Sequence, residues 1–423
     1  MNGATPADLQ TWFSSWSKGS SAAMYRLDDT LSAADLFGKR VLLRVDYNVP
    51  LQDGRIEDDT RIVKTLPTLK LLISKGAQTI VISHLGRPKG KVVPELSLLP
   101  VAKHLERILG KEVKFASECV GEHVQQLAET LKPGDVMLLE NLRFYEGEEK
   151  NDPAFADALA SLADVYVNDA FSASHRAHAS TSGLASRLMS YPGLLLLDEL
   201  KAAYKIMENP ARPYVAILGG AKVSTKIEVV RRLLEITDRV LIGGAMLVAF
   251  LRAKGYMFSS VTIDENEVDQ ARAILGSSSD VDAKLVLPLD VVVAKSIDNP
   301  ESSYVCEVSD TAPPNDSVYD IGPKTVEAYI REIDMAKTIM WNGPVGVFEK
   351  GFSEGTSKLV EALCNANGYT YVGGGDTIAA LKRYGDEQRI SFVSTGGGAS
   401  LEFIAYGRLP ALDALFGLNS SGV

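Results

Sequence analysis

From residue 39 onward, the chain alternates between short runs rich in β-branched residues and longer segments in which apolar residues recur at helical spacing. Parallel strands need crossover connections of a dozen or more residues, and these are usually helices. The alternation therefore predicts βαβ units and parallel sheets. In the first half, the predicted strands are Val41–Val45, Thr79–Ser83, Val136–Leu139 and Val165–Val167, and the predicted helices are Arg61–Ser74, Ser97–Leu109 and Pro153–Leu162.

A long helical pattern at 193–208 interrupts the alternation, which restarts beyond Pro213. In the second half, the predicted strands are Tyr214–Leu218, Val240–Ile242, Lys284–Val293, Thr338–Trp341, Tyr369–Val372 and Ser391–Val393, and the predicted helices are Thr225–Ile236, Glu265–Leu275, Pro323–Ile333, Glu354–Ala366 and Thr377–Arg383. The polar segments 259–283 and 296–320 are expected to be surface excursions. We therefore expect an α/β fold of two doubly wound parallel-sheet domains, 24–192 and 211–404, joined by a helical hinge at 193–210, with a cleft between them.

The 423 residues include 44 Lys and Arg against 54 Asp and Glu, a formal net charge of −10, and 46% of the residues are hydrophobic. This composition is typical of a globular protein with a large core, and it excludes a disordered chain. It disfavours nucleic-acid partners, which a binding protein usually attracts through excess positive charge. No run reaches the roughly 18 apolar residues that a membrane-spanning helix needs, so no membrane partner is expected.

Three cysteines, Cys119, Cys306 and Cys364, lie far apart, and no Cys-x-x-Cys pair or Cys/His cluster accompanies them. This spacing disfavours a structural zinc site, and the odd, sparse cysteine content fits a reducing compartment, so we expect a cytoplasmic protein. Residues 1–23 lack the basic start and the apolar core of a signal peptide. They are expected to form a loosely ordered N-terminal extension, or to precede a true start at Met24.

Ligands of open α/β sheets bind beyond the carboxyl ends of the strands, so the residues that follow each predicted strand are informative. In the first half, the residues around these ends are basic: Arg61, His84, Arg87, Arg143, His175 and Arg176. Each alone fits a surface arginine or a structural histidine, but a converging set suits a small, multiply charged anion, because the guanidinium fork matches phosphate and carboxylate geometry. Arg44, Asp46 and Asn48 share one face where the first strand ends. Asp46 and Asn48 could orient ligand hydroxyls or hold arginines, and Asp46 could equally be a buried structural ion-pair partner.

The strand ends of the second half are rich in glycine instead, with loops that begin at Gly219, Gly243, Gly343, Gly373 and Gly396. Glycine between a strand and a helix lets backbone N–H groups approach an anion, and the helix N-terminus adds a favourable dipole. One glycine pair is more often a turn, but five such loops on one rim indicate a nucleotide or another phosphorylated ligand. Asp376 could cap a helix or hold Mg²⁺ on nucleotide phosphates. Glu349 could accept hydrogen bonds from ribose hydroxyls or be a solvated surface residue.

Two common nucleotide-binding signatures are absent from the sequence. No G-x-x-x-x-G-K-[ST] loop occurs, and no G-x-G-x-x-G follows a strand, which disfavours a nicotinamide-dependent dehydrogenase. The protein-kinase motif set is missing as well. Two alternatives remain. Tight nicotinamide binding would identify a dehydrogenase, and an assay for ATP formation would distinguish a non-catalytic phosphometabolite-binding module from an enzyme.

Eight motifs follow one another along roughly residues 25–418. They are Arg-Val-Asp-Tyr-Asn-Val-Pro, Ser-His-Leu-Gly-Arg-Pro, Glu-Asn-Leu-Arg-Phe, His-Arg-Ala-His, Gly-Gly-Ala-Lys-Val, Trp-Asn-Gly-Pro-Val-Gly-Val-Phe-Glu, Gly-Gly-Gly-Asp-Thr and Ser-Thr-Gly-Gly-Gly-Ala-Ser. In content and order they resemble the phosphoglycerate kinase family. The family often has Phe where Tyr47 stands and Gly-Thr-Ala where Ser172–Ser174 stand, and residues 1–23 lie outside its pattern.

The resemblance implies transfer of a phosphoryl group between 1,3-bisphosphoglycerate and ADP, giving 3-phosphoglycerate and ATP, with Mg²⁺ as the cofactor. The phosphoglycerate site that it implies in the first domain consists of Asp46, Tyr47, Asn48, Arg61, His84, Leu85, Gly86, Arg87, Arg143 and Arg176. The nucleotide site that it implies in the second domain consists of Gly219, Gly220, Lys226, Gly243, Gly244, Asn342, Glu349, Gly373, Gly374, Gly375, Asp376 and Thr377, with Asp376 as the metal contact.

The resemblance also implies which groups meet the transferring phosphoryl group: Arg61, Lys222, Gly397 and Gly398. The attacking carboxylate of 3-phosphoglycerate is already ionised, so the reaction needs alignment and charge cancellation rather than a general base. The family's last residues return to the first domain, so 405–423 is expected to pack there. Because each domain would hold one substrate, we expect hinge closure that excludes water, in a monomer whose partners are small molecules.

Overall fold

The computed structural model describes residues 28–220, 226–256, 264–277, 280–309 and 316–418. Within these ranges the chain divides into two compact units. The first unit contains residues 28–201 and 408–418, and the second contains the described residues of 202–407. None of the helices in the described ranges is both long and apolar enough to cross a membrane. The predicted extension, residues 1–23, lies outside the described residues.

A six-stranded parallel sheet forms the centre of the first unit. The strands of this unit are β1 (Arg40–Arg44), β2 (Leu51–Gln52), β3 (Arg55–Ile56), β4 (Gln78–Ile82), β5 (Val113–Ala116), β6 (Val136–Leu139), β7 (Val165–Asn168) and β8 (Met189–Pro192). The sheet has the order β5-β6-β4-β1-β7-β8, while β2 and β3 form a separate antiparallel pair. Strands β6 and β7 are buried along their whole length, as expected for a parallel sheet that is covered on both faces.

Helices cover this sheet and complete its core. They are α1 (Asp28–Ala33), α2 (Thr60–Ser74), α3 (Leu99–Leu109), α4 (Glu122–Glu129), α5 (Glu146–Glu149) and α6 (Pro153–Ala160). In α2, Ile62, Leu66 and Leu69 recur at helical spacing and are buried in one cluster with the apolar residues of β1. Helix α3 has Pro100 in its first turn and ends at Gly110, whose left-handed conformation closes the helix.

Helix α7 (Leu194–Met207) contributes to both units, because the division of the chain falls inside it, after residue 201. Its first turn is capped from the end of β7, where the buried Asp169 accepts a hydrogen bond from the amide of Leu196 at 3.2 Å through Oδ1. Burial raises the pKa of Asp169 to about 7, although the Thr68 hydroxyl and the helix amides favour its ionised form. A carboxyl group that titrates near neutrality therefore caps this helix.

A second six-stranded parallel sheet forms the centre of the second unit. The strands are β9 (Tyr214–Leu218), β10 (Arg239–Ile242), β11 (Leu285–Val286), β12 (Asp290–Ala294), β13 (Tyr304–Glu307), β14 (Ser317–Ile321), β15 (Thr338–Asn342), β16 (Tyr369–Gly373) and β17 (Phe392–Val393). The parallel sheet has the order β11-β10-β9-β15-β16-β17, and β13-β12-β14 form a small antiparallel sheet. Two parallel sheets in one chain confirm the predicted α/β class.

The remaining helices are α8 (Ile227–Ile236), α9 (Met246–Ala253), α10 (Glu265–Leu275), α11 (Val281–Lys284), α12 (Pro323–Met335), α13 (Glu354–Asn365), α14 (Gly375–Tyr384), α15 (Gly398–Tyr406) and α16 (Pro410–Leu415). The hydroxyl of Tyr329 in α12 donates to the carbonyl of Ile242 at 2.8 Å and so attaches this helix to the end of β10. Helix α16 belongs to the first unit, where the amide of Ala411 donates to the carbonyl of Ser174 at 3.1 Å.

Two predictions for the second half are wrong. Lys284–Val293 is not one strand, because α11 ends there and β11 and β12 belong to different sheets. Pro288 lies between these two strands and has no amide hydrogen to donate to a ladder. Segment 296–320 is not a mere surface excursion, because β13 and β14 pair with β12. Within 259–283, α10 confirms the predicted helix Glu265–Leu275, and both α10 and α11 bury apolar residues rather than forming a purely polar excursion.

Candidate active site

The basic loops of the first unit follow β6, β4, β1 and β7, which are consecutive neighbours in the sheet. Because these strands run parallel, their carboxyl ends lie along one edge. Arg143 follows β6, His84 follows β4, Asp46 follows β1 and Arg176 follows β7. The strand order therefore brings these loops together on the edge where ligands of such sheets bind. We call this row of loops the basic edge.

Asp46 is a buried support for Arg61 at the basic edge. Its Oδ2 accepts hydrogen bonds from Arg61 Nη1 at 2.7 Å and from the Ser172 hydroxyl, and its Oδ1 accepts from the amide of Asn48 at 3.0 Å. Burial acts against the ionised carboxylate, but Arg61 and the hydrogen bonds from Ser172 and Asn48 hold the pKa of Asp46 below its ordinary value. Asp46 is therefore ionised at neutral pH and holds Arg61 in place.

A second set of hydrogen bonds connects Asn48 to Arg143. Asn48 Oδ1 accepts from the amide of Gly86 at 2.9 Å, and the carbonyl of Gly86 accepts from Arg143 Nη1 at 2.8 Å. Arg61 Nη1 also lies 3.3 Å from the carbonyl of Asn48. Glu149 approaches Arg143 Nε to 3.6 Å. Four of the predicted substrate residues thus form one connected group.

His84 is buried between a cation and an anion. Its Nδ1 lies 3.2 Å from Arg44 Nη2 and 4.0 Å from Asp46 Oδ1. Burial lowers the pKa of His84 to about 3; Asp46 opposes this shift, and Arg44 and Arg143 add to it. His84 is therefore neutral at physiological pH, and the positive charge of the basic edge comes from its arginines.

The side chains of Tyr47 and Leu85 lie in the core. The Tyr47 hydroxyl is 3.0 Å from Thr65 Oγ1, its amide donates to Ser83 Oγ at 2.8 Å, and burial raises its pKa. The amide of Leu85 donates to Asn141 Oδ1 at 3.1 Å. Of these two predicted residues, only the backbone lies along the basic edge.

Arg87 and Arg176 are exposed, in contrast to the buried Arg143. Arg176 Nε donates to His175 Nε2 at 3.1 Å, so the His-Arg pair after β7 forms one unit. The basic edge thus combines arginines that the fold holds rigidly with arginines that extend into solvent.

Sequence reasoning missed the residues that support these arginines. Asn141 is fully buried; its Oδ1 accepts from the amide of Arg143 at 3.0 Å, and its Nδ2 donates to the carbonyl of Leu96 at 2.9 Å. Ser172, which contacts Asp46, stands at a position where the family often has glycine. The polar pair Glu140-Asn141 directly after a fully apolar strand is the signal that could have identified Asn141.

In the second unit, the glycine loops follow β10, β9, β15, β16 and β17, again consecutive neighbours in a parallel sheet. The amide of Gly219 donates to the carbonyl of Asn342 and that of Gly220 to the carbonyl of Pro344, both at 3.1 Å. A Cβ on Gly219 would lie 2.0 Å from the Pro344 carbonyl oxygen, and a Cβ on Gly343 would lie 2.3 Å from that of Gly219. These two loops therefore cross at a distance that only glycine allows. We call this row of loops the glycine edge.

Gly243 and Gly244 join the same crossing from β10. The amide of Gly244 donates to the carbonyl of Val345 at 2.9 Å, and a Cβ on Gly244 would lie 2.4 Å from the Gly220 nitrogen. The predicted glycines that follow β9, β10 and β15 are thus in mutual contact.

Lys226 brings a half-buried amine to the glycine edge. Its Nζ donates to the carbonyl of Gly219 at 2.7 Å and to Asn342 Oδ1 at 3.1 Å. Burial lowers the pKa of Lys226 to about 8, although Asp376 acts in the opposite direction. The amine is therefore a cation at neutral pH that loses its proton in mildly alkaline solution.

Helix α14 begins where the loop after β16 ends, with Gly374 as its N-cap residue. Thr377 Oγ1 accepts from the amide of Gly343 at 2.7 Å. Among the described residues, and apart from the helix's own neighbouring backbone, no heavy atom lies within 4 Å of the position that a Cβ on Gly375 would take. Asp376 is exposed in the first turn and is not the cap. The helix N-terminus therefore presents free space and a carboxylate side by side.

Two further predicted groups lie on neighbouring loops. Gly397, with φ of +56°, is the N-cap residue of α15. In the part of the chain that the structure describes, and apart from chain neighbours and the backbone of α15 itself, no heavy atom lies within 4 Å of a Cβ position on Gly397 or Gly398. The amide of Gly396 donates to Ser394 Oγ at 3.1 Å. Glu349 is exposed in the turn Phe348–Lys350 that follows β15.

Lys222 lies outside the described residues, so its predicted role stays a prediction. Among the described residues, no group of three or more His, Cys, Asp or Glu side chains is arranged to hold a metal ion. Asp376 is the acidic side chain in the first turn of α14.

A family model described as phosphoglycerate kinase matches residues 31–406. The phosphoglycerate kinase of Moorella thermoacetica is 49% identical over 387 residues, which cover 91% of this chain and 98% of that protein. That of Thermosipho africanus is 48% identical over 390 residues, covering 91% of this chain and 97% of that protein.

Solved structures agree with these matches. The structure of phosphoglycerate kinase from Coxiella burnetii has a TM-score of 0.81 and 39% identity, covering 91% of this chain and 97% of that one. The crystal structure of phosphoglycerate kinase from Pyrococcus horikoshii has a TM-score of 0.78 and 31% identity, covering 91% of this chain and 98% of that one. The resemblance drawn from the eight motifs is thereby confirmed, and the chain belongs to the phosphoglycerate kinase family.

Proposed function

We propose that the chain transfers a phosphoryl group reversibly from 1,3-bisphosphoglycerate to ADP, giving 3-phosphoglycerate and ATP, as a step of glycolysis and gluconeogenesis. The observation that carries this proposal is the contrast between the two edges. The basic edge gathers arginines around a buried carboxylate, which suits a small, multiply charged acid. The glycine edge offers backbone loops, a helix N-terminus and a half-buried lysine, which suit a nucleotide polyphosphate.

We assign phosphoglycerate to the first domain, 24–192, together with the returning segment 405–423. Asp46 fixes Arg61, and the carbonyl of Gly86 fixes Arg143, so both guanidinium groups keep further N–H donors for a ligand. The proposed ligand-binding residues are Asp46, Tyr47, Asn48, Arg61, His84, Leu85, Gly86, Arg87, Arg143 and Arg176.

We assign ADP and ATP to the second domain, 211–404. The proposed binding residues are Gly219, Gly220, Lys226, Gly243, Gly244, Asn342, Glu349, Gly373, Gly374, Gly375, Asp376 and Thr377. One exposed carboxylate beside a helix N-terminus fits Mg²⁺, which is commonly bound by one or two carboxylates together with substrate phosphates. Asp376 is the residue that would hold the ion, and the ion would offset the charge of the nucleotide phosphates.

The proposed chemistry requires no proton transfer to the protein. In the direction of ATP use, a carboxylate oxygen of 3-phosphoglycerate bonds to the γ-phosphorus while the bond from that phosphorus to the ADP oxygen breaks. Both substrates are anions, so cations and amide donors must cancel their repulsion and align them. We assign this role to Arg61, Lys222, Gly397 and Gly398, the last two through the amides at the N-terminus of α15.

Because the two substrates are assigned to different units, the reaction needs a closed state. We propose that closure bends the chain about the helical segment 193–210, in a cytoplasmic monomer with small-molecule partners and no nucleic-acid or membrane partner. Small-angle scattering should show a smaller radius of gyration with both substrates than with either one alone. An unchanged radius would contradict closure.

A coupled assay for ATP formation from ADP and enzymatically generated 1,3-bisphosphoglycerate tests the activity. We expect turnover in the ordinary enzyme range of about 1–10³ s⁻¹, and a large loss in Arg143→Ala. Arg187→Ala is the matched control, because Arg187 pairs with Asp157 and precedes the amino end of β8, whereas the basic edge lies at the carboxyl ends of the parallel strands. Binding of both ligands without ATP formation would instead identify a non-catalytic phosphometabolite-binding module.

A further inference from the structure

A chain of buried polar residues runs beneath the basic edge. Glu148 and Ser180 are fully buried, Arg44 is 1% exposed, and His84 is 7% exposed. Ser180 donates to Glu148 Oε1 through its hydroxyl at 2.6 Å and to Oε2 through its amide at 2.9 Å. Arg44 Nε in turn donates to Ser180 Oγ at 2.9 Å, and Arg44 Nη2 lies 3.2 Å from His84 Nδ1. The four side chains thus form one continuous path that ends at a proposed substrate residue.

The last contact in this path determines which ring nitrogen of His84 carries the proton. Arginine has only donors, so a hydrogen bond between Arg44 Nη2 and His84 requires Nδ1 to accept. A neutral imidazole that accepts at one nitrogen carries its proton on the other, which here is Nε2. Asp46 Oδ1, at 4.0 Å from Nδ1, is too distant to hold a proton on that nitrogen.

The rest of the path keeps the Arg44 guanidinium in place. Arg44 Nη1 donates to the carbonyl of Val45, and Nε is held by Ser180. A fully buried cation needs an anion nearby, and Glu148 supplies it through Ser180. Burial keeps the pKa of Glu148 above its ordinary value, although Arg44, the two hydrogen bonds from Ser180 and Arg143 favour the ionised form. His178 Nδ1 also faces Glu148, at 3.7 Å.

We propose that Arg44 and Glu148 are positioning residues of the phosphoglycerate site, which hold His84 as a neutral ring with its proton on Nε2. His84 then serves an anionic ligand as a hydrogen-bond donor, whereas Arg61 and Arg143 supply the charge. The ligand identity in this inference rests on the proposed function, but the protonation state of His84 in the free protein does not.

The test is ¹⁵N NMR of the free protein with labelled histidine, in which the signals of His84 are assigned by their loss in His84→Gln. We expect an unprotonated Nδ1 and a protonated Nε2 that persist from pH 8 down to pH 5. The charged groups that face the ring are Asp46, Arg44, Arg61 and Arg143. A protonated Nδ1 or an imidazolium spectrum at pH 7 would overturn the proposal, whether or not the protein makes ATP.

Variants separate positioning from a purely structural role. Arg44→Met should mix the two ring tautomers and raise the KM for 3-phosphoglycerate by about tenfold, with the KM for ATP unchanged. Ser180→Ala removes only a hydroxyl and replaces Arg44→Met as the test if that variant does not fold. It should change the tautomer of His84 and the KM for 3-phosphoglycerate in the same direction. An unaltered His84 spectrum and an unaltered KM in a folded variant would overturn the proposal.

The chain offers a matched control on the surface. Arg107 Nη2 lies 2.6 Å from Nδ1 of His104, whose Nε2 pairs with Asp59 at 2.9 Å. Arg107→Met should therefore alter the His104 signals while leaving the KM for 3-phosphoglycerate unchanged. If this variant raised the KM as much as Arg44→Met, the effect would not belong to the buried path, and the proposal would fail.

Discussion

At the level of single residues, the two proposed anion sites differ in the groups that would bind the ligand. At the basic edge, side chains hold other side chains, as Asp46 holds Arg61 and Asn141 holds the backbone of Arg143. At the glycine edge, the proposed donors are the amides at the N-termini of α14 and α15, and the half-buried Lys226 is the cation that accompanies them. A guanidinium group stays charged at any physiological pH, whereas a buried amine does not.

Nucleotide affinity should therefore depend on pH through Lys226. The pKa of its amine is about 8, and a bound polyphosphate favours the charged form, so affinity should be constant below pH 8 and fall above it by up to about tenfold per pH unit. Isothermal titration calorimetry with ADP between pH 7 and pH 9.5 measures this. Lys226→Met should bind ADP weakly at every pH, without the fall above pH 8. The control is Lys358→Met, which removes an exposed ion pair with Glu361 on a helix and should bind ADP like the parent. A parent affinity that stays flat to pH 9.5 would contradict the role of Lys226.

Lys222 is the side chain that we expect to act on the transferring group. Its removal in Lys222→Ala should lower kcat by about 10²–10³, because one preorganised donor to a developing charge is lost. The free energy of unfolding should change little. Steady-state kinetics together with urea unfolding check both expectations, and activity within a few-fold of the parent would remove Lys222 from this role.

At the level of helices and strands, the sequence was most informative where apolar runs are bounded by glycine or polar residues. The strands Val136–Leu139 and Tyr214–Leu218 are predicted to the residue. The strands β5 and β8 have no prediction, because Lys114 interrupts the apolar run of β5, and Ser190 and Pro192 interrupt that of β8. The antiparallel sheet was missed for the same reason, since Tyr304 and Val305 of β13 are exposed and local sequence does not reveal its partners.

Gly375 allows a test of the helix N-terminus at the glycine edge. Gly375→Ala places a methyl group in free space inside α14, so stability should stay level or rise by up to about 1 kcal/mol. If a phosphate approaches this turn, the same methyl group should weaken ADP binding. Gly219→Ala is the contrasting variant, because its Cβ would collide with the Pro344 carbonyl and it should lose stability as well. Thermal unfolding measures the stability of both variants, and titration with ADP measures their affinity. If Gly375→Ala bound ADP as tightly as the parent, the phosphates would not lie at this turn.

Asp169, the cap of α7, should make stability depend on pH. Its pKa is about 7 in the fold against an ordinary value of 3.8, so between these values the folded state holds a proton that the unfolded state has released. The stability that this proton provides is fully present below pH 4 and is lost as the pH rises through 7. The amide side chain that Asp169→Asn introduces does not titrate. The free energy of unfolding of this variant, relative to that of the parent, should therefore rise between pH 4 and pH 7 by at most about 1.4 kcal/mol per pH unit and level off above pH 7.

Urea unfolding of the parent and Asp169→Asn from pH 4.5 to pH 8.5 measures this difference. Asp157→Asn, a change at an exposed carboxylate that pairs with Arg187, serves as the control and should show no such rise. A constant difference between Asp169→Asn and the parent would mean that Asp169 keeps its proton, or lacks it, in both states.

At the level of the whole molecule, the order of the motifs predicted the family, and the alternation of strand and helix patterns predicted the two parallel sheets. The contacts of the supporting residues could not be predicted from the sequence. Arg44 and Glu148 are more than a hundred positions apart in the chain, yet both bind to Ser180. Their role depends on which strands are neighbours, and local patterns do not specify that order. The same limit applies to Ser172, whose partner Asp46 follows a different strand.

The central claim is that arginines of the first unit bind phosphoglycerate and that glycine loops of the second unit bind the nucleotide. A crystal structure of the protein with 3-phosphoglycerate and a non-hydrolysable ATP analogue tests it most directly. We predict guanidinium contacts from Arg61 and Arg143 to the acid, and phosphate contacts at the N-terminus of α14 beside Asp376. Nucleotide phosphates on Arg143, or 3-phosphoglycerate on the glycine edge, would contradict the account.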